Sequence, residues 1–182
     1  MKKLNEKEIL KKLDELKKMI EGREQRRFPG KKTRNPKIMV TSEELDEMIE
    51  NKEDLTNLDV SKIIDMSYLF TGVKKIKGDI SEWDVSNVYD MESMFEGSRI
   101  NPDLSEWDVS NVKFMNQMFY GSRFNGDISD WDVSNVTNMK YMFVDSDFNR
   151  YINDWDVSNV EYMNQMFVDS PLANRTPKWY TE

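Results

Sequence analysis

The phrase WDVSNV is written four times in this chain, at Trp83–Val88, Trp107–Val112, Trp131–Val136 and Trp155–Val160. A weaker fifth copy, LDVSKI, begins at Leu58. Self-similarity at a fixed period restricts the fold to architectures in which one unit stacks on the next. The tryptophans at 83, 107, 131 and 155 set that period at 24 residues, and the array runs from 58 to 170. The first copy, Leu58 to Glu82, is one residue longer than the period, as terminal repeats often are.

Within WDVSNVTNMKYMFVDSDFNRYIND the side chains alternate at first. Trp131 and Val133 flank Asp132, so a short strand would turn the aspartate outward. Ser134 or Asn135 can cap a helix start, and Val136, Met139, Met142 and Phe143 would form its apolar face. Phe148 and Ile152 add an apolar pair before the next copy. Such a unit is too short to bury its apolar face alone. Stacking removes the problem, each layer burying side chains at roughly 1.5–3 kcal/mol apiece before entropy is subtracted. The expected fold is an α/β repeat solenoid: a stack of short strand–helix units, five turns long.

The flanks read differently. Residues 1–22 form an amphipathic helix with Ile9, Leu13, Leu16 and Ile20 on one face and lysines opposite. That stripe can pack on its own domain, self-associate or dock in a partner's groove. Residues 23–40 are a basic linker; Glu21–Lys37 alone holds seven basic residues, two prolines and two glycines. Residues 41–57 carry a capping helix, in which Thr41 and Glu44 form a capping-box pattern and Leu45, Met48 and Ile49 an apolar face. The segment 171–182 closes the other end with Trp179 and Tyr180.

Charge divides along the same lines. The formal net charge is -8. Residues 1–57 hold 15 basic and 13 acidic side chains, residues 58–170 hold 9 and 20. The array should repel nucleic acid and attract basic surfaces. Direct nucleic-acid contact is expected only weakly, through the 23–37 linker. The chain has no Cys and no His, which excludes disulfides, thiol nucleophiles and imidazole acid–base chemistry. No cofactor, metal site or catalytic residue is expected. The N-terminus lacks the apolar core of a secretion signal, and no segment is long enough to span a membrane, so a cytoplasmic location is expected.

Two polar columns repeat without change: Ser86, Ser110, Ser134, Ser158 and Asn87, Asn111, Asn135, Asn159. Small polar residues at a tight corner predict side-chain hydrogen bonds to backbone. The aspartates Asp59, Asp84, Asp108, Asp132 and Asp156 form a third column. Asp79, Asp103 and Asp127 form another, and Glu82, Glu106, Asp130 and Asp154 lie between. Like charges stacked about 4.8 Å apart repel, so something must compensate. Backbone N–H groups, a bound cation or a basic partner would each serve.

The pattern WDVSNV..M..MF....FN.DIS, with the opening run LDVSKIIDMSYLF, resembles the BspA-like family of leucine-rich-repeat-type bacterial proteins over residues 58–170. The resemblance implies a right-handed strand–helix solenoid of the leucine-rich-repeat class. It also implies binding rather than catalysis, with many members acting as surface proteins or adhesins. Family arrays also occur in phage and other mobile genomes, which leaves room for an intracellular binder.

The functional expectation is a non-catalytic protein-binding module. The candidate partner-binding residues are Asp84, Asp108, Asp132, Asp156, Glu106 and Asp130, with the aromatics Tyr89, Phe114, Tyr120, Tyr141 and Tyr162 that lie outside the core pattern. The partner would be a protein with a basic surface. A sharper version is an inhibitor that mimics nucleic-acid charge. The alternative is a surface adhesin of the BspA-like type. An enzyme with paired carboxylates fits poorly, because a catalytic pair should be singular and these recur in every copy.

Overall fold

The computed structural model describes residues 37–181. The chain divides into two units, Met1–Pro36 and Lys37–Glu182, so everything that follows concerns the second. The amphipathic helix expected over 1–22 and the linker as far as residue 36 lie outside the described residues.

The end of the expected linker is not loose. Ile38–Met39 form a strand, β1, parallel to β2 at Leu58–Asp59, with Ile38 opposite Leu58. The Ile38 N–H donates to the Asn57 carbonyl at 2.8 Å, and the Val40 N–H to that of Asp59 at 3.2 Å. Val40 is buried, which explains why the chain settles here.

The helix α1, Ser42–Glu50, follows with both halves of the capping box made. The Thr41 hydroxyl accepts from the Glu44 N–H, and the Glu44 carboxylate accepts from the Thr41 N–H at 2.9 Å. Leu45 is fully buried in the core, with Met48 and Ile49 packed against it.

Beyond β2, no further helix or multi-residue strand forms among the described residues. Successive copies meet through single parallel bridges: Asp65 with Asp90, Asp90 with Phe114, Phe114 with Asn138 and Asn138 with Tyr162. The strand expected over 131–133 does not form, and chained turns stand in place of the helix expected from Val136 to Phe143. The hydrogen bonds give the reason. The N–H groups of Met91, Ser93, Phe95 and Gly97 donate across to the carbonyls of Phe114, Asn116, Met118 and Tyr120 in the next copy, at 2.7–3.0 Å. Those of Met94, Glu96 and Ser98 donate three residues back, to Met91, Ser93 and Phe95. Every second N–H is thus spent between copies, and an α-helix cannot form.

Chained turns of this kind need the left-handed conformation at intervals. Tyr68, Ser93, Gln117, Tyr141 and Gln165 adopt it, with φ between 51° and 61°. Four residues on, so do Gly72, Gly97, Gly121, Asp145 and Asp169. For a side chain larger than glycine this conformation costs roughly 1–2 kcal/mol.

The core lies between the Trp side and the Met–Phe side of each copy. Phe70, Phe95, Phe119, Phe143 and Phe167 stack in order, with centroids 5.3, 5.5, 5.6 and 5.8 Å apart. Phe124 and Phe148 insert beside this column, at 4.4 and 4.3 Å from Phe119 and Phe143. Each tryptophan also ties its copy to an earlier one. The indole N–H groups of Trp83, Trp107, Trp131 and Trp155 donate to the carbonyls of Leu55, Ile80, Leu104 and Ile128. Trp179 repeats the bond on Ile152 at 2.8 Å and stacks on Trp155 at 6.3 Å. The tail therefore continues the tryptophan column at the same period, and Tyr180 closes edge-on against Phe167. Among the described residues, no helix is long and apolar enough to cross a membrane.

Candidate functional site

The aspartate column acquires its geometry from the residues that follow it. The Oδ1 atoms of Asp84, Asp108, Asp132 and Asp156 accept from the N–H of the serine two residues on, at 3.0–3.2 Å. Ser86 and Ser110 add their hydroxyls at 2.6 Å. These are Asx turns, in which a short carboxylate caps its own corner. The DIS segments repeat the device, with Asp79, Asp103 and Asp127 accepting from Ser81, Ser105 and Ser129.

The asparagines do the job expected of them. Nδ2 of Asn87, Asn111, Asn135 and Asn159 donates to the carbonyl of Ser61, Ser86, Ser110 and Ser134 in the preceding copy, at 2.7–2.9 Å. This ladder joins one corner to the next.

The repulsion between stacked carboxylates is met locally. The serine two residues on holds Asp84, Asp132 and Asp156 below the usual carboxylate range, by its hydroxyl first and its N–H second. Repulsion from Asp59 on Asp84 and from Asp156 on Asp132 is the weaker, opposing effect. Of the three possible compensations, backbone N–H donors are observed, joined by serine hydroxyls. Among the described residues, no three carboxylates gather where a metal ion could be held.

Asp84, Asp108, Asp132 and Asp156 are all exposed, as are Glu106 and Asp130 in the neighbouring acidic column. The result is a set of exposed carboxylate rows that repeat with the array.

The aromatics fall into two groups. Tyr89 is exposed and meets half-buried Phe114 edge-on at 5.4 Å. Phe114 and Tyr162 occupy the bridging column, and Tyr162 is 56% exposed. Tyr120 and Tyr141 come together elsewhere, in an open groove of about 560 Å³ lined also by Gln117, Gln165, Glu96 and Asp169. None of the WDVSNV aspartates lines that groove. The acidic rows and the tyrosine groove are thus separate surfaces, which sequence reasoning had treated as one.

Lys140 places its ammonium 4.9 Å from the Tyr141 ring centroid. Asp169 is a groove residue outside the candidates named from the sequence. The signal available was its place in the column of Gly72, Gly97 and Gly121, where a turn is required.

A family model described as "Mycoplasma protein of unknown function, DUF285" matches residues 40–146 and 101–182. This match is consistent with the resemblance to BspA-like repeats. No curated protein and no solved structure matches the chain.

Proposed function

The chain belongs to that Mycoplasma family, and from this premise we propose that it is a non-catalytic module that binds a protein with a basic surface. We propose as its architecture the leucine-rich-repeat-like right-handed solenoid that the resemblance implies, stacked at the period of the repeats. One observation carries the reading: exposed aspartates recur at the array period, each fixed by an Asx turn. A rigid row of charge attracts an opposite surface and loses little entropy on binding. The same recurrence argues against catalysis, because no one copy is set apart from the others. In its sharper form the row occupies the nucleic-acid groove of its target.

The test begins with copurification from the native host and identification of the partner by mass spectrometry. Titration of the purified partner should then show affinity falling with added salt and with the triple change Asp108→Asn, Asp132→Asn, Asp156→Asn. Unchanged affinity on both counts would overturn the reading. Competition with DNA or RNA for the same target decides the charge-mimic form.

The family match is compatible with a second reading, a BspA-like surface protein that touches host or matrix proteins. Protease accessibility and antibody labelling on intact cells separate the two locations.

A further inference from the structure

Two features meet in the tyrosine groove. The first is a row of large side chains on left-handed backbone. Gln117, Tyr141 and Gln165 all line the groove and all hold left-handed backbone, at φ 58°, 61° and 57°. The bonds that require this turn are made by backbone atoms, Gln117 N–H to the Lys140 carbonyl and Tyr141 N–H to that of Asn164. Glycine would suit the backbone better, as it does at Gly97 and Gly121 in the companion column. Tyr68 and Ser93 hold the same conformation outside the groove, so it belongs to the repeat; what the groove adds is three large side chains in a row on that backbone.

The second feature is charge. Glu96 and Asp169 border the groove, and no basic residue lines it. Its walls include the rings of Tyr120 and Tyr141, and an ammonium already lies over the latter. Tyrosine faces attract cations, and carboxylates beside them complete the pattern that a guanidinium fits by stacking and paired hydrogen bonds.

We propose that this groove seats arginine side chains of the protein partner. The proposal rests on the reading of the chain as a binder of basic proteins and makes it specific. The aspartate rows steer the partner in, and Tyr120, Tyr141, Gln117 and Gln165 hold its arginines, with Glu96 at one end of the groove and Asp169, three copies on, at the other.

The experiment titrates the full chain with the peptide Arg-Ser-Arg-Ser-Arg-Ser and its citrulline counterpart, by calorimetry and by amide shifts in NMR spectra. The arginine peptide should bind saturably, shift Gln117 and Tyr141, and lose about tenfold in affinity on Tyr141→Gly. The thermal midpoint of Tyr141→Gly should equal or exceed that of the parent, since backbone strain is relieved. Tyr120→Ser leaves the strained positions untouched and should weaken the peptide similarly. Citrulline, which keeps the shape without the charge, should not bind.

The outcomes separate the two claims. If peptide binding survives both tyrosine changes but is lost with Asp108→Asn and Asp132→Asn, the groove is wrong and the basic-partner reading stands. The groove also fails if the arginine peptide does not bind while the purified partner does. If neither binds, both fall.

Discussion

The change Trp131→Phe tests why the repeat is written with tryptophan rather than with any large apolar residue. Trp131 is 4% exposed, and its indole N–H donates to the Leu104 carbonyl at 2.9 Å. Phenylalanine keeps a ring in the stack but removes that donor. Leu104 is fully buried, so water cannot readily replace the bond. Leaving a buried carbonyl unpaired costs about 1–3 kcal/mol. The smaller ring leaves a void worth about 1 kcal/mol more. The expected loss is therefore about 2–4 kcal/mol, or a fall of about 1–2 M in the urea midpoint at a slope of about 2 kcal/mol per molar. Trp179→Phe is the internal control. Its bond to Ile152 is as short, at 2.8 Å, and Ile152 is as buried as Leu104, but the indole that covers this carbonyl is only half-buried, so water can enter in place of the lost donor. That change should cost about 1 kcal/mol. Urea unfolding followed by circular dichroism measures both. Equal losses, within about 0.5 kcal/mol, would refute the argument that the indole is retained to satisfy a buried carbonyl.

Gly78→Ala should cost about 2–3 kcal/mol, read as a lower thermal midpoint, because φ is +101° and a Cβ would come within 2.5 Å of Asp54 Oδ1 and 2.7 Å of the Leu55 and Thr56 nitrogens. Thr41→Ala should remove about 1 kcal/mol by breaking the capping box of α1, measured the same way. Acid should destabilise the protein through its Asx turns. The carboxyls of Asp59, Asp84, Asp103, Asp127, Asp132 and Asp156 lie below their ordinary value because serines donate to them, so their contribution is present above about pH 4 and lost as pH falls through their folded-state values. Thermal midpoints should be level from neutrality to about pH 5 and drop below pH 4. Asp90 runs the other way: burial raises it, so its ionisation weakens the fold as pH rises. Asp90→Asn should raise the midpoint at pH 7 but not at pH 3. Asn138, at the corresponding place two copies on, already makes the same bond, accepting from the Lys140 N–H at 3.1 Å.

Much of the core was open to inspection in the letters. Trp131, Val133, Val136, Met139, Met142 and Phe143 are all buried, as the apolar columns required. The asparagine ladder was also legible, because an amide kept at a corner in every copy has few other uses. Trp179 belongs to the same period, though the proline at 171 hides the continuation. The helix expected over 136–143 was not what forms, and the reason is instructive. An apolar spacing of three, three and one is compatible both with a helix and with chained turns. What separates them is where alternate N–H groups find acceptors, and those acceptors lie in another copy.

The candidate site divides in the same way. Exposed aromatics could be named from their columns, since they break the repeat. That Tyr120 and Tyr141 share a groove while the WDVSNV aspartates lie outside it is a fact of the stacked chain. So is the strain at Gln117, Tyr141 and Gln165, because no local signal marks a glutamine or tyrosine for left-handed backbone.

The sequence by itself determined that copies stack at a period of 24 and which side chains fill the layers, because a unit this short can hide its apolar face only against its neighbour. Tertiary structure decided the rest: turns in place of helices, aspartates satisfied at their own corners, and Tyr120 and Tyr141 gathered apart from the charged rows. Those outcomes depend on donors and acceptors from different copies meeting in space, and the order of residues within one copy does not specify that.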